Sequence, residues 1–187
     1  MGSGENSISS RQHNRGLVLQ MITTGVCASR IELAKATGLT KMTVSNIVSE
    51  LMERGIVEES VEMQTEQRGR NPINLQLSSH APMIIGLLIF RDRVEAVLCT
   101  MKLKIIKRSC VKFEIMTSQE LLDYIFRIID SVKEGQKESD IMGIGIASIG
   151  PIDLISGKIL SPPRFYGIEN IPILDIKSYY LRSDAVG

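Results

Sequence analysis

The sequence has little of what secreted, metal-binding or membrane-embedded proteins commonly contain. It has no tryptophan, aromatic residues make up 4% of its 187 residues, and it holds three cysteines and two histidines. Three widely spaced cysteines form neither a disulfide framework nor a metal site, and they are typical of a reducing compartment. No apolar run approaches the roughly 18–20 residues that a membrane helix needs, and the polar N-terminus does not resemble a signal peptide. We therefore expect a cytoplasmic protein with no membrane partner.

An excess of charge of either sign is also missing. The 22 basic and 21 acidic residues leave a formal net charge of +1, so no global electrostatic field indicates a nucleic-acid partner. Between residues 11 and 54, however, six basic residues stand against three acidic ones. Any contact with nucleic acid must therefore depend on a local basic surface.

Three helices are predicted in the first third of the sequence. The first covers residues 11–24, after a Gly/Ser/Asn-rich segment of ten residues that we expect to be frayed. Ser29 and Glu32 have the spacing of a capping box and begin the second helix. Gly38 ends it, because glycine adopts a left-handed backbone at no steric cost. Thr40 is a suitable N-cap for the third helix.

The third helix has two distinct faces. Its apolar residues recur at the spacing of a packed helix, and they are Val44, Ile47, Val48 and Leu51. Its other side suits a DNA major groove, where Asn can bridge an adenine edge and Ser or Thr can reach bases or phosphates. The candidate DNA-contacting residues are Lys41, Met42, Thr43, Ser45 and Asn46. Both a helix-turn-helix and an ordinary helical hairpin with a solvated outer face fit this pattern.

A β-hairpin is predicted to follow these helices. Its strands cover residues 57–63 and 73–77, and the second alternates as a half-buried strand does. The polar tip contains Arg68, Gly69 and Arg70, whose two guanidinium groups suit the negative potential of a narrow A·T-rich minor groove. A solvated turn with incidental charges is the alternative for this triplet. Its position after a helix-turn-helix favours the wing of a winged helix.

A resemblance to a known family extends over residues 29–77. The sequence there reads SRIELAKATGLTKMTVSNIVSELMERGIVEE and then RGRNPINLQL, and it resembles the winged-helix domain of ROK-family transcriptional repressors. The resemblance implies that residues 41–46 enter the major groove and that Arg68 and Arg70 reach the minor groove. One departure is Asn71, which separates Gly-Arg from the following Pro where Gly-Arg-Pro is the commoner order.

The composition changes after a short linker at residues 78–82. Apolar strands are predicted over residues 83–90 and 94–101, and a third strand of mixed basic and apolar residues over 102–112. A helix with a capping box at Thr117 and Glu120 and a buried strand over residues 141–149 follow. Three strands, a crossover helix and a further strand describe the N-terminal lobe of an actin-like, sugar-kinase-type α/β domain. We therefore expect an α+β protein with two domains: a winged helix-turn-helix over residues 1–80 and a truncated first lobe of the ROK domain over residues 81–187.

The resemblance to ROK proteins continues in the segments GIGIASIGPID and SPPRFYGIENIPI. In that family a Gly-Pro loop and a later Asn border the sugar pocket, which here implies Gly150, Pro151 and Asn170 as effector-binding residues. Backbone amides and a carboxamide can bind sugar hydroxyls. Without the family, Gly150 and Pro151 are a turn at the end of a strand and Asn170 is a loop residue.

The residues that ROK sugar kinases use for phosphoryl transfer are not found in this sequence. Those kinases carry an Asp-x-Gly-Gly phosphate loop at the end of the lobe's first strand, where this sequence reads Leu-Leu-Ile-Phe at residues 87–90. Phosphoryl transfer depends on polar groups that position phosphates and Mg²⁺. The sequence also ends at Gly187, before the family's Asn-Asp segment and its His/Cys zinc motif. We therefore expect no catalytic residues, no metal site, no ATP or zinc cofactor and no enzyme activity.

The leading hypothesis is a sugar-responsive DNA-binding repressor of carbohydrate-metabolism genes. Its expected partners are double-stranded operator DNA and, if a second lobe is present, a sugar or sugar-phosphate effector. A homodimer or larger homo-oligomer is also expected, because two recognition helices must lie about 34 Å apart on DNA. The alternatives are a ROK-type sugar kinase with an accessory DNA-binding domain and a truncated, sugar-blind DNA binder.

Overall fold

The computed structural model describes residues 4–61, 73–114, 116–165, 167–173 and 175–176. The chain divides into two compact units, Met1–Ala81 and Pro82–Gly187. None of the helices in the described ranges combines the length and the hydropathy needed to span a membrane.

The first unit contains α1 (Gly4–Thr23), α2 (Arg30–Thr37), α3 (Lys41–Glu53), β1 (Val57–Val61) and β2 (Ile73–Leu77). The predicted bounds of α2, after Ser29 and before Gly38, are confirmed. The expectation that the first ten residues are frayed is wrong for residues 4–10, because the helix begins at Gly4, and residues 1–3 lie outside the described ranges. Extension of an existing helix adds one hydrogen bond for each residue that is ordered, so weak helix formers can continue a helix that stronger ones establish.

An apolar core joins the three helices to the hairpin. Its members are at most 5% exposed and come from all five elements: Val18, Leu33, Val44, Ile47, Val48, Leu51, Val57, Leu75 and Leu77. The predicted apolar stripe of α3 is confirmed, since it faces this core. Burial of one such side chain stabilises the fold by about 1.5–3 kcal/mol, so this packing fixes the direction in which the other face of α3 points.

The two strands of the first unit form the base of a hairpin. They pair antiparallel, and the N–H of Leu75 donates to the carbonyl of Ala28 at 2.6 Å. The segment before α2 therefore adjoins the edge of β2 that β1 leaves free. The hairpin tip lies outside the described residues, and with it lie Arg68, Gly69, Arg70 and the predicted end of the first strand at Met63.

The second unit contains β3 (Met83–Ile89), β4 (Arg93–Cys99), β5 (Ile105–Lys112), α4 (Ser118–Lys133), a short 3-10 helix (Glu138–Asp140), β6 (Ile141–Ser148), β7 (Ile152–Asp153), β8 (Lys158–Ile159) and β9 (Ile171–Pro172). One sheet has the order β5-β4-β3-β6, with β6 parallel to β3 and the other pairs antiparallel. The last three strands form a small antiparallel sheet. The predicted order of three strands, a crossover helix and a further strand is confirmed.

Helix α4 covers one face of the larger sheet and begins with the predicted capping box. Thr117 Oγ1 accepts the N–H of Glu120 at 3.2 Å, and the Glu120 carboxylate accepts the N–H of Thr117 at 2.8 Å. The hydrogen bond from the backbone of Thr117 is the main reason that the pKa of Glu120 is lowered. The buried face of α4 is confirmed as Leu121, Leu122, Ile125, Ile128, Ile129 and Val132.

Strand β6 differs from the buried strand that the sequence predicts. Ile141 at its start is buried, but Met142, Gly145 and Ala147 are exposed. In the part of the chain that the structure describes, β6 pairs with β3 alone. An apolar run does not reveal whether a strand lies at the centre or the edge of its sheet, which explains the error. A Cβ at Gly143 or Gly145 would meet no described atom within 4 Å, so close packing does not require either glycine.

Candidate nucleic-acid interface

Helix α2 is held by hydrogen bonds at both of its ends. Ser29 Oγ accepts the N–H of Glu32 at 3.3 Å, as predicted. The Glu32 carboxylate, however, accepts the N–H of Ala28 at 2.8 Å instead of that of Ser29. The predicted capping box is thus altered, because a Glu side chain is long enough to reach the free amide one residue earlier. Gly38 ends α2 with a φ of +70°, and its N–H donates to the Ala34 carbonyl.

Substituting alanine for Gly38 should destabilise the first unit by about 1–2 kcal/mol, because a left-handed backbone brings Cβ close to the next carbonyl oxygen. No described atom lies within 4 Å of the added Cβ, so the cost comes from the backbone alone. Denaturant unfolding followed by circular dichroism measures it. Gly16→Ala is the matched control, since Gly16 lies inside α1 and alanine is the better helix former. An equal loss of stability in both variants would contradict this explanation.

Thr40 caps the N-terminus of α3 and is hydrogen-bonded to Thr43, one of the predicted DNA-contacting residues. Its Oγ1 accepts the N–H of Thr43 at 3.1 Å, which confirms the predicted N-cap. The hydroxyl groups of the two threonines are hydrogen-bonded to each other at 2.9 Å. Thr43 is half-buried, and a hydroxyl has a single proton to donate. Its hydroxyl therefore has less capacity left for DNA than the fully exposed side chains nearby.

The other predicted residues of α3 lie at its solvent-facing start. Met42 is 76% exposed, Lys41 and Asn46 are also exposed, and Ser45 is half-buried. Their spacing along the helix places Met42 and Asn46 on one face, a turn apart. The structure therefore brings together a cation, a carboxamide and a hydroxyl on a helix whose opposite face is fixed in the core. These groups can donate to phosphate oxygens and to base edges.

A groove of about 530 Å³ runs beside this face, between α1 and α3. Its lining residues are Ser10, Arg11, Asn14, Thr43, Asn46, Ile47 and Glu50. Asn46 thus borders both the outer face of α3 and the groove. The sequence does not reveal the groove, because the groove forms only where two helices separated in the sequence pack together.

The carboxylate of Glu50, on α3, pairs with two arginines of α1 in this groove. Glu50 forms ion pairs with Arg11, at 3.5 Å, and with Arg15. The hydrogen bond from Arg15 is the main reason that the pKa of Glu50 is lowered, so this carboxylate stays ionised at neutral pH. The local excess of basic residues predicted a basic surface here. It could not show that Glu50 forms ion pairs with both Arg11 and Arg15.

Comparison with known proteins adds to this geometry. Residues 14–58 match the winged helix-turn-helix DNA-binding family. The xylose repressor of Caldicellulosiruptor bescii is 32% identical to the chain over 169 residues, which cover 89% of this chain and 42% of that protein. The DNA-binding transcriptional repressor Mlc of Escherichia coli is 25% identical over 165 residues, which cover 87% and 41%. Over most of its length the chain is similar to ROK-family transcriptional repressors.

A solved structure shows the same fold. The crystal structure of a ROK family transcriptional regulator, a homologue of the E. coli Mlc protein, has a TM-score of 0.67 and 20% identity, over 87% of this chain and 41% of that one. The predicted fold class is confirmed as a winged helix-turn-helix followed by part of a sugar-kinase-like lobe. The chain spans about two fifths of the length of the curated relatives it matches.

The residues implied as effector-binding adjoin the small sheet, with Gly150 and Pro151 just before β7 and Asn170 just before β9. The N–H of Leu160 donates to the carbonyl of Pro151 at 2.9 Å, and the carbonyl of Leu160 accepts the N–H of Asn170 at 3.0 Å. Gly150, Pro151 and Asn170 are all exposed. Because neighbouring strands lie about 4.8 Å apart, the backbones of Pro151 and Asn170 are within about 10 Å of each other.

A second cavity, of about 190 Å³, lies at the carboxyl ends of the parallel strands β3 and β6. Ligands of open α/β sheets bind at such ends, and this is also where the sequence departs from the phosphate loop of ROK kinases. The lining residues are Leu88, Ile89, Phe90, Ala147, Ser148 and Ile149. Among these described residues, the one polar side chain is that of Ser148, whose hydroxyl donates to the carbonyl of Ile149 at 3.0 Å. This cavity therefore presents an apolar surface.

Proposed function

We propose that this protein is a sugar-responsive transcriptional repressor of the ROK family that binds operator DNA through α3. The observation that carries the proposal is the combination of a fully packed inner face of α3 with an exposed start that holds Lys41 and Asn46. Lys41 supplies a cation for phosphate, and the Asn46 carboxamide has the donor and acceptor that match adenine in the major groove. The names of two relatives, a xylose repressor and a DNA-binding transcriptional repressor, support the same function.

The remaining contacts belong to the same proposal. Arg68 and Arg70 of the wing reach the adjacent minor groove, and two copies of the chain present their α3 helices to two half-sites. The DNA-binding domain covers residues 1–80, and residues 81–187 form part of the effector domain. In that domain Gly150, Pro151 and Asn170 bind sugar hydroxyls. The genes under control are those of carbohydrate metabolism.

Selection from a random duplex library tests this function. The 187-residue chain should enrich one sequence family at low salt and bind it on the order of 10³-fold or more tighter than unselected DNA. Circular dichroism of the same sample shows that the chain is folded. A folded chain that enriches no sequence would refute the proposed DNA-binding function. Adding sugars to the selected complex then separates a sugar-responsive repressor from a sugar-blind DNA binder.

We infer that the protein does not phosphorylate sugars. Phosphoryl transfer requires polar groups and Mg²⁺ ligands around the phosphates, and the cavity at the ends of β3 and β6 is lined mainly by apolar side chains. A coupled ATP-turnover assay with a panel of pentoses and hexoses should give no rate above that of a reaction without protein. Sugar-dependent ATP turnover would instead support the kinase alternative.

A further inference from the structure

We propose that the groove between α1 and α3 binds a phosphate of the DNA backbone, with Arg11 as the principal ligand. This inference rests on the proposed DNA-binding function, and it adds a contact outside the helix-turn-helix and the wing. The Arg11 side chain is 73% exposed, and it lines the groove that Asn46 also borders. A guanidinium group is therefore accessible beside the side chain that is proposed to read a base.

The shortage of cations on α3 itself indicates that a further phosphate contact is needed. Half to two-thirds of protein–DNA hydrogen bonds go to phosphate and sugar, yet Lys41 is the one basic residue within α3. Among the other basic residues of the first unit that the structure describes, Arg30 is paired with Glu59, and Lys35 and Arg54 are exposed but do not line the groove. Arg11 combines high exposure with a position next to Asn46.

The two arginines that contact Glu50 have different roles. Glu50 alone would repel a phosphate, but a carboxylate with two guanidinium groups has a net charge of +1. Arg15 is 26% exposed, forms the closer ion pair with Glu50 and has a buried Nε without a partner among the described residues. Arg15 therefore neutralises Glu50. Arg11 is held more loosely, at 3.5 Å, and its five N–H donors allow it to contact Glu50 and a phosphate together.

The geometry of a major groove places a backbone phosphate within reach of the Arg11 side chain when α3 lies in that groove. Glu50 follows Asn46 by four residues, so the two side chains lie on neighbouring turns of one face of α3. A helix in a major groove about 12 Å wide has sugar–phosphate backbones on both sides, and α1 packs beside α3 at the position of Glu50. Ser10 and Asn14 also line this groove, and their hydroxyl and carboxamide can donate to phosphate oxygens.

The salt dependence of binding to the selected duplex tests the proposal. With Arg11→Gln, the slope of log K against log salt concentration should become less steep by about 0.9, the value for one lost phosphate contact. The ratio of specific to non-specific affinity should change little, because phosphate contacts carry no sequence information. Arg11→Lys keeps the charge and should restore most of the slope. Circular dichroism should show an unchanged fold for both variants, because the side chain is largely exposed.

Lys102→Gln is the control, since it removes one positive charge from an exposed turn of the second unit and does not line the groove. Its slope should equal that of the wild-type chain. If the slope of Arg11→Gln equalled that of the wild-type chain, the proposed phosphate contact would be wrong. If the slopes of Arg11→Gln and of the control variant fell equally, the effect would be one of overall charge and the specific contact would be refuted. A wild-type chain that forms no sequence-specific complex would refute the proposed function itself, which is a different result.

Discussion

Replacing Asn46 by alanine is expected to weaken binding to the selected duplex by about 1–3 kcal/mol and to relax the preference at one base pair. The carboxamide of Asn46 is exposed on the outer face of α3, so its loss removes base hydrogen bonds without opening the core. Competition binding with duplexes that carry each of the four base pairs at every position measures both effects. The expected profile is unchanged except at one position, where discrimination against the wrong bases falls.

Gln20→Ala provides a matched control for this experiment. Gln20 carries the same carboxamide and is exposed, but it lies near the end of α1. Its removal should leave both the affinity and the base preference unchanged. If Asn46→Ala and the wild-type chain gave the same base preferences, the outward face of α3 would not be the face that recognises bases, even if the chain binds DNA.

The elements that sequence reasoning predicted accurately are those set by local chemistry. The ends of α2 follow from the Ser29 cap and from Gly38, and the buried face of α3 follows from a periodicity within a single helix. Each of these signals lies within a few residues of the structure it determines. The exposed start of α3 could be predicted for the same reason, because fixing one face of a helix also fixes the opposite face.

The features that the sequence did not reveal depend on distant pairing. The position of β6 at the described edge of its sheet depends on which strands pair with β3. The contact of Arg11 and Arg15 with Glu50 joins residues 35 or more positions apart. The approach of Pro151 to Asn170 depends on Leu160, whose N–H donates to the carbonyl of Pro151 and whose carbonyl accepts the N–H of Asn170. Only a resemblance to a known family grouped Pro151 and Asn170 in advance.

Truncating Leu51 to alanine is expected to destabilise the first unit by about 2–5 kcal/mol, through lost apolar burial and the cavity left behind. Leu51 is 1% exposed and belongs to the stripe of α3 that faces the core. Because small domains are stable by only about 5–15 kcal/mol, this change should unfold much of the unit on warming. Hydrogen exchange should show faster exchange in α2 and α3, and DNA binding should be lost together with this protection.

Ile125→Ala is the matched core truncation in the second unit, where Ile125 is fully buried on α4. Its cost should be of the same order, but the faster exchange should appear in α4 and in the strands it covers. A comparison of Leu51→Ala with Asn46→Ala then separates a loss of folding from a loss of base recognition. Loss of Leu51 should abolish binding to every duplex because α3 is no longer held in place, whereas loss of Asn46 should change which duplex is preferred on an intact helix. A Leu51→Ala chain that exchanges as slowly as wild type would show that the buried stripe of α3 does not hold this helix.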